Sequence, residues 1–341
     1  MNTAELSKDV LAIDAPSLAS AIEDWIRKVV FETLRRRGAV VGISGGIDSS
    51  VVATLCARAL GKERVFGIFM PEADSSDESL RYGQLLSDFL GIRSVTRDIT
   101  KILEALQCYE QRDVAVRSVI PEYTNGYRCK IVLPNIVDSN SYSLFSVVAQ
   151  SPSGDQVKRR LTPSAYLQIL AATNCKQRTR KLIEYEYADQ LHYAVAGTPN
   201  RLEYELGFFV KNGDGSADFK PIAHLYKSQV YQLAAYLEIP EPILHRAPTT
   251  DTYSLPQSQE EFYFSLPLEK MDLCLFAIDR DIAAEEVARV LELSVPQVER
   301  VYNAIRSRRN VASYLHAQPL TISGSSDTQQ PCCSAVPVQA L

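Results

Sequence analysis

Apolar residues recur at helical spacing through residues 18–36, and the chain then changes period. Ala39 to Ile43 is a short unbroken apolar run that stops at Ser44-Gly45-Gly46. A run of that length, ended by glycines, predicts a strand buried on both faces that opens into a loop. Helical periodicity resumes from Ser49 to Leu60. A second apolar run, Val65 to Met70, precedes the acidic stretch Glu72 to Glu78, a helix-like segment to about Leu90 and a third strand near Ser94 to Ile99. Strands alternating with helices predict an α/β fold with a mostly parallel sheet.

From Gln111 to Thr162 the text becomes rich in Tyr and Ser. Asn125-Gly126 and Ser153-Gly154-Asp155 are turn signals flanking extended-looking runs at 129–133 and 143–149, which predicts a β-type insertion. Helical spacing returns from about Tyr166 to Gln190, a strand is expected around Tyr193 to Ala196, and a glycine-rich stretch through Asp218 leads to a helix over Lys227–Leu237. Residues 258–310 read as a helical C-terminal part, with helices over Ala283–Leu293 and from Pro296 to about Arg308. That pair invites a helix-turn-helix reading, but Glu299 beside Arg300 and an acidic chain favour a packing hairpin over a DNA reader. Residues 323–341 lack periodicity and are expected to be a disordered tail, leaving 1–322 as one α/β domain carrying the insertion.

With 41 acidic against 36 basic residues and a net charge of −5, no overall basic field invites nucleic acid or an anionic membrane. The first ten residues lack the pattern of a signal peptide, and no apolar run reaches the roughly 18 residues of a membrane span, so a cytoplasmic protein is expected. Seven cysteines without a CxxC pair suggest neither a disulfide framework nor a zinc site.

The chemistry concentrates in Gly42-Ile43-Ser44-Gly45-Gly46-Ile47-Asp48-Ser49, set between a strand and a helix. Glycines allow close backbone approach to an anion, the helix start offers unpaired N–H groups, and Ser44 and Ser49 add hydroxyl donors. Asp48 would repel phosphate unless a cation bridges them, which suits a Mg²⁺ ligand. Neither a Walker loop nor a GxGxxG fingerprint is present.

The segment reads SGGxDS and resembles the pyrophosphate loop of the ATP pyrophosphatase superfamily, which implies an adenine nucleotide alpha hydrolase-like fold: a doubly wound, mostly parallel, Rossmann-like sheet. Asn174 to Arg180, Gly197 to Glu203, Lys211 to Asp218, and Leu225 to Val230 look like signatures of NAD synthetases, of the ammonia-dependent type. Pro248-Thr249-Thr250-Asp251 follows where that family has a similar segment. The resemblance covers about 20–110 and 165–310. It implies that Gly42 to Ser49, Thr198, Lys227 and Thr249 contact ATP, that Asp48 and Glu203 bind Mg²⁺, and that Asp48 and Lys227 are catalytic. It further implies that Arg178, Lys211 and Asp218, with Arg308-Arg309 standing for a basic pair near the family's C-terminus, bind deamido-NAD.

The implied reaction adenylates the nicotinate carboxylate of deamido-NAD and passes it to ammonia, giving NAD, AMP and pyrophosphate. Alternatives are a paralogous ligase amidating a different carboxylate and a non-catalytic nucleotide-binding module. The insertion at 111–162 is additional to the compact family pattern, and Pro256 to Phe264 carries aromatics where the family has an acidic loop. About 20 residues precede the synthetase-like region and the first cysteine, Cys56, lies in a predicted helix, so free ammonia or a separate glutaminase subunit is expected as the nitrogen source. The resemblance implies a homodimer. Ending the chain after Ser323 is expected to leave the melting temperature and the specific activity unchanged, as checked by thermal melts and turnover of the shortened protein.

Overall fold

The computed structural model describes residues 6–133, 145–247, 253–255 and 266–321. The chain enters through α1 (Ala15–Arg27), which runs on into a wider π-helical turn over Lys28–Thr33 in place of one regular helix to residue 36. Three β-α units follow: β1 (Ala39–Gly42) and α2 (Ile47–Leu60), β2 (Val65–Phe69) and α3 (Asp77–Leu90), then β3 (Arg93–Thr96) with α4 (Thr100–Ala105). Next come α5 (Cys108–Arg117), the strands β4 (Arg128–Val132), β5 (Ser146–Gln150) and β6 (Gln156–Arg160), and the 29-residue α6 (Pro163–Leu191). The chain continues through β7 (Ala194–Ala196), α7 (Arg201–Leu206), α8 (Lys227–Tyr236), α9 (Glu241–Leu244), α10 (Leu268–Ile278), α11 (Ala284–Leu291) and α12 (Val295–His316).

The main sheet has the order β3-β2-β1-β7 and every pairing in it is parallel. Its side chains alternate between two cores, as the strand period requires. Ala39, Val41, Ala194 and Ala196 face a cluster with Ile26 of α1, Leu55 of α2 and Leu233 of α8. Val40, Ile68 and Val195 face the opposite cluster with Leu103 of α4 and Ile183 of α6. Helices therefore cover both faces, and burying each of the Val, Ile and Leu side chains contributes about 1.5–3 kcal/mol. This double cover explains why the strands read as unbroken apolar runs.

The three-stranded antiparallel sheet β4-β5-β6 supplies the expected insertion. Gly126 and Gly154 take positive φ at the turns that Asn125-Gly126 and Ser153-Gly154 announced. The insertion nevertheless starts later than the sequence suggested, because α5 still occupies 108–117. The edge strand β6 escaped notice because Gln156 to Arg160 is mostly exposed and carries no apolar alternation. α11 and α12 form a packing hairpin: Val287, Leu291, Val298, Tyr302 and Ile305 share one core with Leu275 of α10. α12 runs on to His316, two turns beyond the expected end.

From β1 the chain crosses to β2 and then β3 on one side, whereas β7 joins β1 on the other. The loops after β1 and β7 thus part at a switch point, where doubly wound sheets open a crevice at the carboxyl ends of their strands. A single parallel bridge from Ala196 to Phe219 extends the sheet beyond β7 and carries the chain toward α8 at the same rim.

One buried carboxylate braces that rim. Asp272 of α10 is fully buried; its Oδ2 accepts the Ser228 N–H at 2.7 Å in the first turn of α8, while its Oδ1 has no hydrogen-bond partner among the described residues. Burial pushes this acid up to about 6, against the pull of the Ser228 donors and the Lys227 charge. Its folded value exceeds the unfolded one, so the stability it adds is complete below about pH 4 and is lost as the pH rises through 6. Asp272→Asn keeps an acceptor without the charge. In urea unfolding, the variant is expected to gain on the parent by about 1 kcal/mol between pH 5 and pH 8.

Candidate active site

Between the end of β1 and the first residue of α2 the chain makes one tight turn, and local groups fix its shape. Gly45 takes φ 74°, and a Cβ there would lie 2.4 Å from the Ser79 carbonyl oxygen, so glycine is required on both counts. Gly46 is the N-cap of α2. The Ser44 N–H donates to Ser49 Oγ at 3.3 Å and the Gly46 N–H to Ser44 Oγ at 3.3 Å. The Ser49 and Ser50 hydroxyls donate to the Gly46 carbonyl at 3.0 and 2.8 Å. The result is a hydroxyl-lined loop over a helix N-terminus, where backbone N–H groups and the helix dipole favour an anion.

Facing it are groups carried by the β7 loop and by α8. Asp48, in the first turn of α2, forms an ion pair through Oδ2 with Lys227 Nζ and accepts the Asn200 side-chain N–H on Oδ1 at 3.1 Å. Lys227 is only 1% exposed. Burial works against its charge, but the Asp48 carboxylate, followed by that of Glu203, outweighs burial and raises Lys227 above its ordinary value. Asn200 caps α7 in a capping box: the Glu203 N–H donates to Asn200 Oδ1 at 3.1 Å and the Asn200 N–H to Glu203 Oε2 at 3.2 Å. Two carboxylates and a lysine from three elements thus meet at the switch point.

They stand in the wall of a cavity of about 540 Å³. Gly42, Ile43, Ser44, Gly46, Ile47, Asp48, Ser49, Thr198, Glu203 and Lys227 all line it, so the structure gathers most of the residues that the resemblance assigned to ATP and metal. Thr249, and the segment 256–264, lie outside the described residues. The far wall comes from α6 through Asn174, Arg180 and Glu184, and from the stacked rings of Phe145 and Tyr166, whose centroids are 4.3 Å apart.

The residues assigned to the carboxylate substrate lie elsewhere in this single chain. The Arg178 Nε–H donates to the Lys211 carbonyl at 3.2 Å, and Lys211 Nζ donates to the Tyr314 and Ala317 carbonyls at the end of α12. Asp218 accepts the Val195 N–H at 2.8 Å and the Tyr185 hydroxyl at 3.2 Å, which ties the sheet edge. Arg309 pairs with Glu205 and Asp279, which also hold Arg201. Arg308 sits beside it on α12, half-buried. None of these five is part of the cavity wall.

Sequence reasoning missed Arg246, which reaches the loop from just after α9 and lines the cavity; an isolated arginine in a loop carries no pattern of its own. It also missed Asp214, although this residue lies within Lys211 to Asp218. Asp214 faces the cavity, burial raises its acid, and the Val210 N–H holds its Oδ1 at 2.7 Å.

A hydroxyl-rich loop at the switch point of a doubly wound sheet, faced by paired carboxylates and a buried lysine, defines a nucleotide-handling α/β protein of the pyrophosphate-loop class. The NAD synthase family model matches residues 18–120 and 146–311, and the chain belongs to that family. Of the insertion, only 121–145 stands outside the match, so β5 and β6 fall within the family pattern and not beyond it as the sequence suggested.

An NH(3)-dependent NAD(+) synthetase of Mesorhizobium japonicum is 55% identical over 91% of this chain and 98% of its own length. One from Thermotoga neapolitana is 36% identical over 82% and 92%. Among solved structures, an NH3-dependent NAD synthetase from Campylobacter jejuni is similar with a TM-score of 0.60 and 24% identity, over 91% of this chain and all of that one. An NMN synthetase from Francisella tularensis is similar with a TM-score of 0.64 and 21% identity, over 92% of this chain and all of that one; both likenesses bear on the fold.

Gly45→Ala places a side chain both in the left-handed region and against the Ser79 carbonyl. A loss of stability of at least about 1–2 kcal/mol is expected in denaturant unfolding.

Proposed function

We propose that the cavity between the β1 and β7 loops is where this chain carries out an ATP-dependent amidation of deamido-NAD to NAD. Membership of the NAD synthase family and the 52–55% identity to three ammonia-dependent enzymes over more than 90% of the chain support an enzyme of the ligase class. Neither a ligase for a different carboxylate nor a non-catalytic module is favoured by those relatives. The observation that carries the site assignment is the convergence of Asp48, Glu203 and Lys227 on one rim of the phosphate-accepting loop.

In this reading the substrate carboxylate attacks the α-phosphorus of ATP, forming an acyl adenylate and releasing pyrophosphate. Ammonia then attacks the acyl carbon and AMP leaves with the bonding electrons. The N–H groups of Ser44 to Ser49 and the hydroxyls of Ser44 and Ser49 bind the phosphates, and Thr198 and Thr249 contact the nucleotide. Lys227 offers its ammonium to the charge that develops on the departing pyrophosphate. Its raised affinity for the proton keeps it cationic through neutral pH. Chemistry of this kind relies on positioning and charge stabilisation, so no protein nucleophile is required.

Mg²⁺ fits the donor set. Among the described residues no cluster of three or more acidic, His or Cys side chains could hold a metal alone. Asp48 and Glu203 offer two hard oxygen ligands beside a phosphate loop, which is how Mg²⁺ is commonly held, with phosphate oxygens and water completing the shell. Held there by Asp48 and Glu203, it would supply positive charge to the phosphates beside that of the Lys227 ammonium.

A homodimer accounts for the placement of Arg178. Leu167, Ala171, Arg178 and Leu182 are exposed and share one face of α6 by their helical spacing, with Leu167 60% and Leu182 68% exposed. A second copy packed there would cover this apolar stripe and bring Arg178, with Lys211, Asp218, Arg308 and Arg309, into the reach of deamido-NAD held between subunits. Ammonia is taken free or from a separate glutaminase subunit. Among the described residues no helix is long and apolar enough to cross a membrane.

Incubation with Mg·ATP, ammonium and deamido-NAD is expected to yield NAD, AMP and pyrophosphate in equal amounts, and none without deamido-NAD. Asp48→Ala is expected to lower turnover by about 100-fold or more, a loss typical of removing a group that stabilises transition-state charge, and also to lower the melting temperature, because it leaves the buried Lys227 ammonium without its carboxylate partner. Wild-type turnover by that variant contradicts the metal assignment.

A further inference from the structure

The weak point of a loop reading Ser44-Gly45-Gly46 is the peptide unit between the two glycines. Neither flanking residue has a Cβ, so rotating this unit by half a turn meets little local resistance. The two orientations have opposite chemistry, because in a planar trans peptide the C=O and the N–H point in opposite directions. One orientation offers the Gly46 N–H to an anion; the other turns the Gly45 carbonyl toward it and repels it.

Local contacts within the loop act on the N–H end, where Gly46 donates to Ser44 Oγ at 3.3 Å, a long bond to a hydroxyl that can rotate. The carbonyl end is held by a residue 201 positions away. Arg246 donates through Nη1 to the Gly45 carbonyl at 3.2 Å. Its Nη2 donates to Ser79 Oγ at 2.8 Å and approaches Ser76 Oγ at 3.4 Å, and the guanidinium lies over the Tyr82 ring at 5.5 Å. Ser76 caps α3 and Ser79 lies in its first turn, so the guanidinium is braced on a rigid element while its other arm grips the loop.

We propose that Arg246 is a positioning residue for the phosphate loop, holding the Gly45–Gly46 peptide with its carbonyl away from the cavity and its N–H toward the bound phosphates. This rests on the reading that Gly42 to Ser49 hold the phosphates of ATP. The role favours a planar fork with two arms at fixed angles; a lysine, with rotatable donors on a flexible stem, lacks the pre-organised geometry that holds Gly45 and Ser79 together.

The test compares Arg246→Met, Arg246→Lys and Asp48→Ala with the parent in steady-state turnover, inhibition by pyrophosphate and thermal melting. Both Arg246 variants are expected to raise KM for ATP and to weaken pyrophosphate inhibition by about tenfold or more, the equivalent of one good hydrogen bond to a charged group. KM for deamido-NAD should stay within about twofold, since the loop touches ATP alone in this reading.

A drop in melting temperature with ATP and pyrophosphate parameters unchanged would mean a merely structural arginine, and overturns the proposal. Full retention by Arg246→Lys shows that charge alone is needed, and also overturns it. If Asp48→Ala is inactive while both Arg246 variants behave as the parent, the Arg246 role fails and the loop reading stands; if all three behave as the parent, the loop reading fails and takes the proposal with it. Should Arg246→Met not fold, Ser79→Ala, which removes the 2.8 Å brace, is expected to shift KM for ATP in the same direction by a smaller factor, and an unchanged KM there overturns the proposal.

Discussion

A lysine ammonium that is almost completely buried has to be paired, because desolvating an isolated charge costs more than a small domain can absorb. In this protein Lys227 is that group, and Asp48 is its partner. The pairing draws the first turn of α8 onto the first turn of α2, and Asn200 joins the same carboxylate from the β7 loop. Three segments far apart in sequence are thereby brought to one rim of the sheet. The same contact fixes the rim at which the proposed function places the nucleotide.

The sheet order makes that meeting point available. With β7 joining β1 on the side away from β2, the loops after β1 and β7 diverge and leave a crevice between them. The apolar runs announced these strands well, because parallel strands covered on both faces must be apolar throughout. The SGGxDS segment was equally legible, since its glycines and serines answer to backbone geometry that few other residues satisfy.

Other features left weaker traces. β6 is an exposed edge strand of polar residues that exists because β5 pairs with it, a tertiary cause with no local signature. The extra turns of α12 carry a thin apolar trace, Ala312 and Leu315, among the polar residues Arg309, Asn310, Ser313 and His316. Arg246 acts across 201 positions of sequence, and its neighbours there give no hint of the partner. The residues assigned to deamido-NAD illustrate a different limit: Lys211, Asp218 and Arg309 were legible as charged groups in family-like segments, yet in this chain each is engaged by carbonyls, a strand N–H or an ion pair. Charge and spacing identify a candidate, but tertiary geometry decides what it faces.

α6 has a further consequence. At 29 residues it is a rod about 44 Å long. On one side it presents Asn174, Arg180 and Glu184 to the cavity. On another, the buried Lys176 ties it to Glu72 at 2.9 Å and Asp74 at 2.6 Å in the segment that follows β2. On a third it shows Leu167 and Leu182 to solvent. A stiff rod cannot roll about its axis at one point alone, so the cavity wall, the ionic anchor and the outer stripe are mechanically a single part: a torque applied at any one of them is felt at the other two.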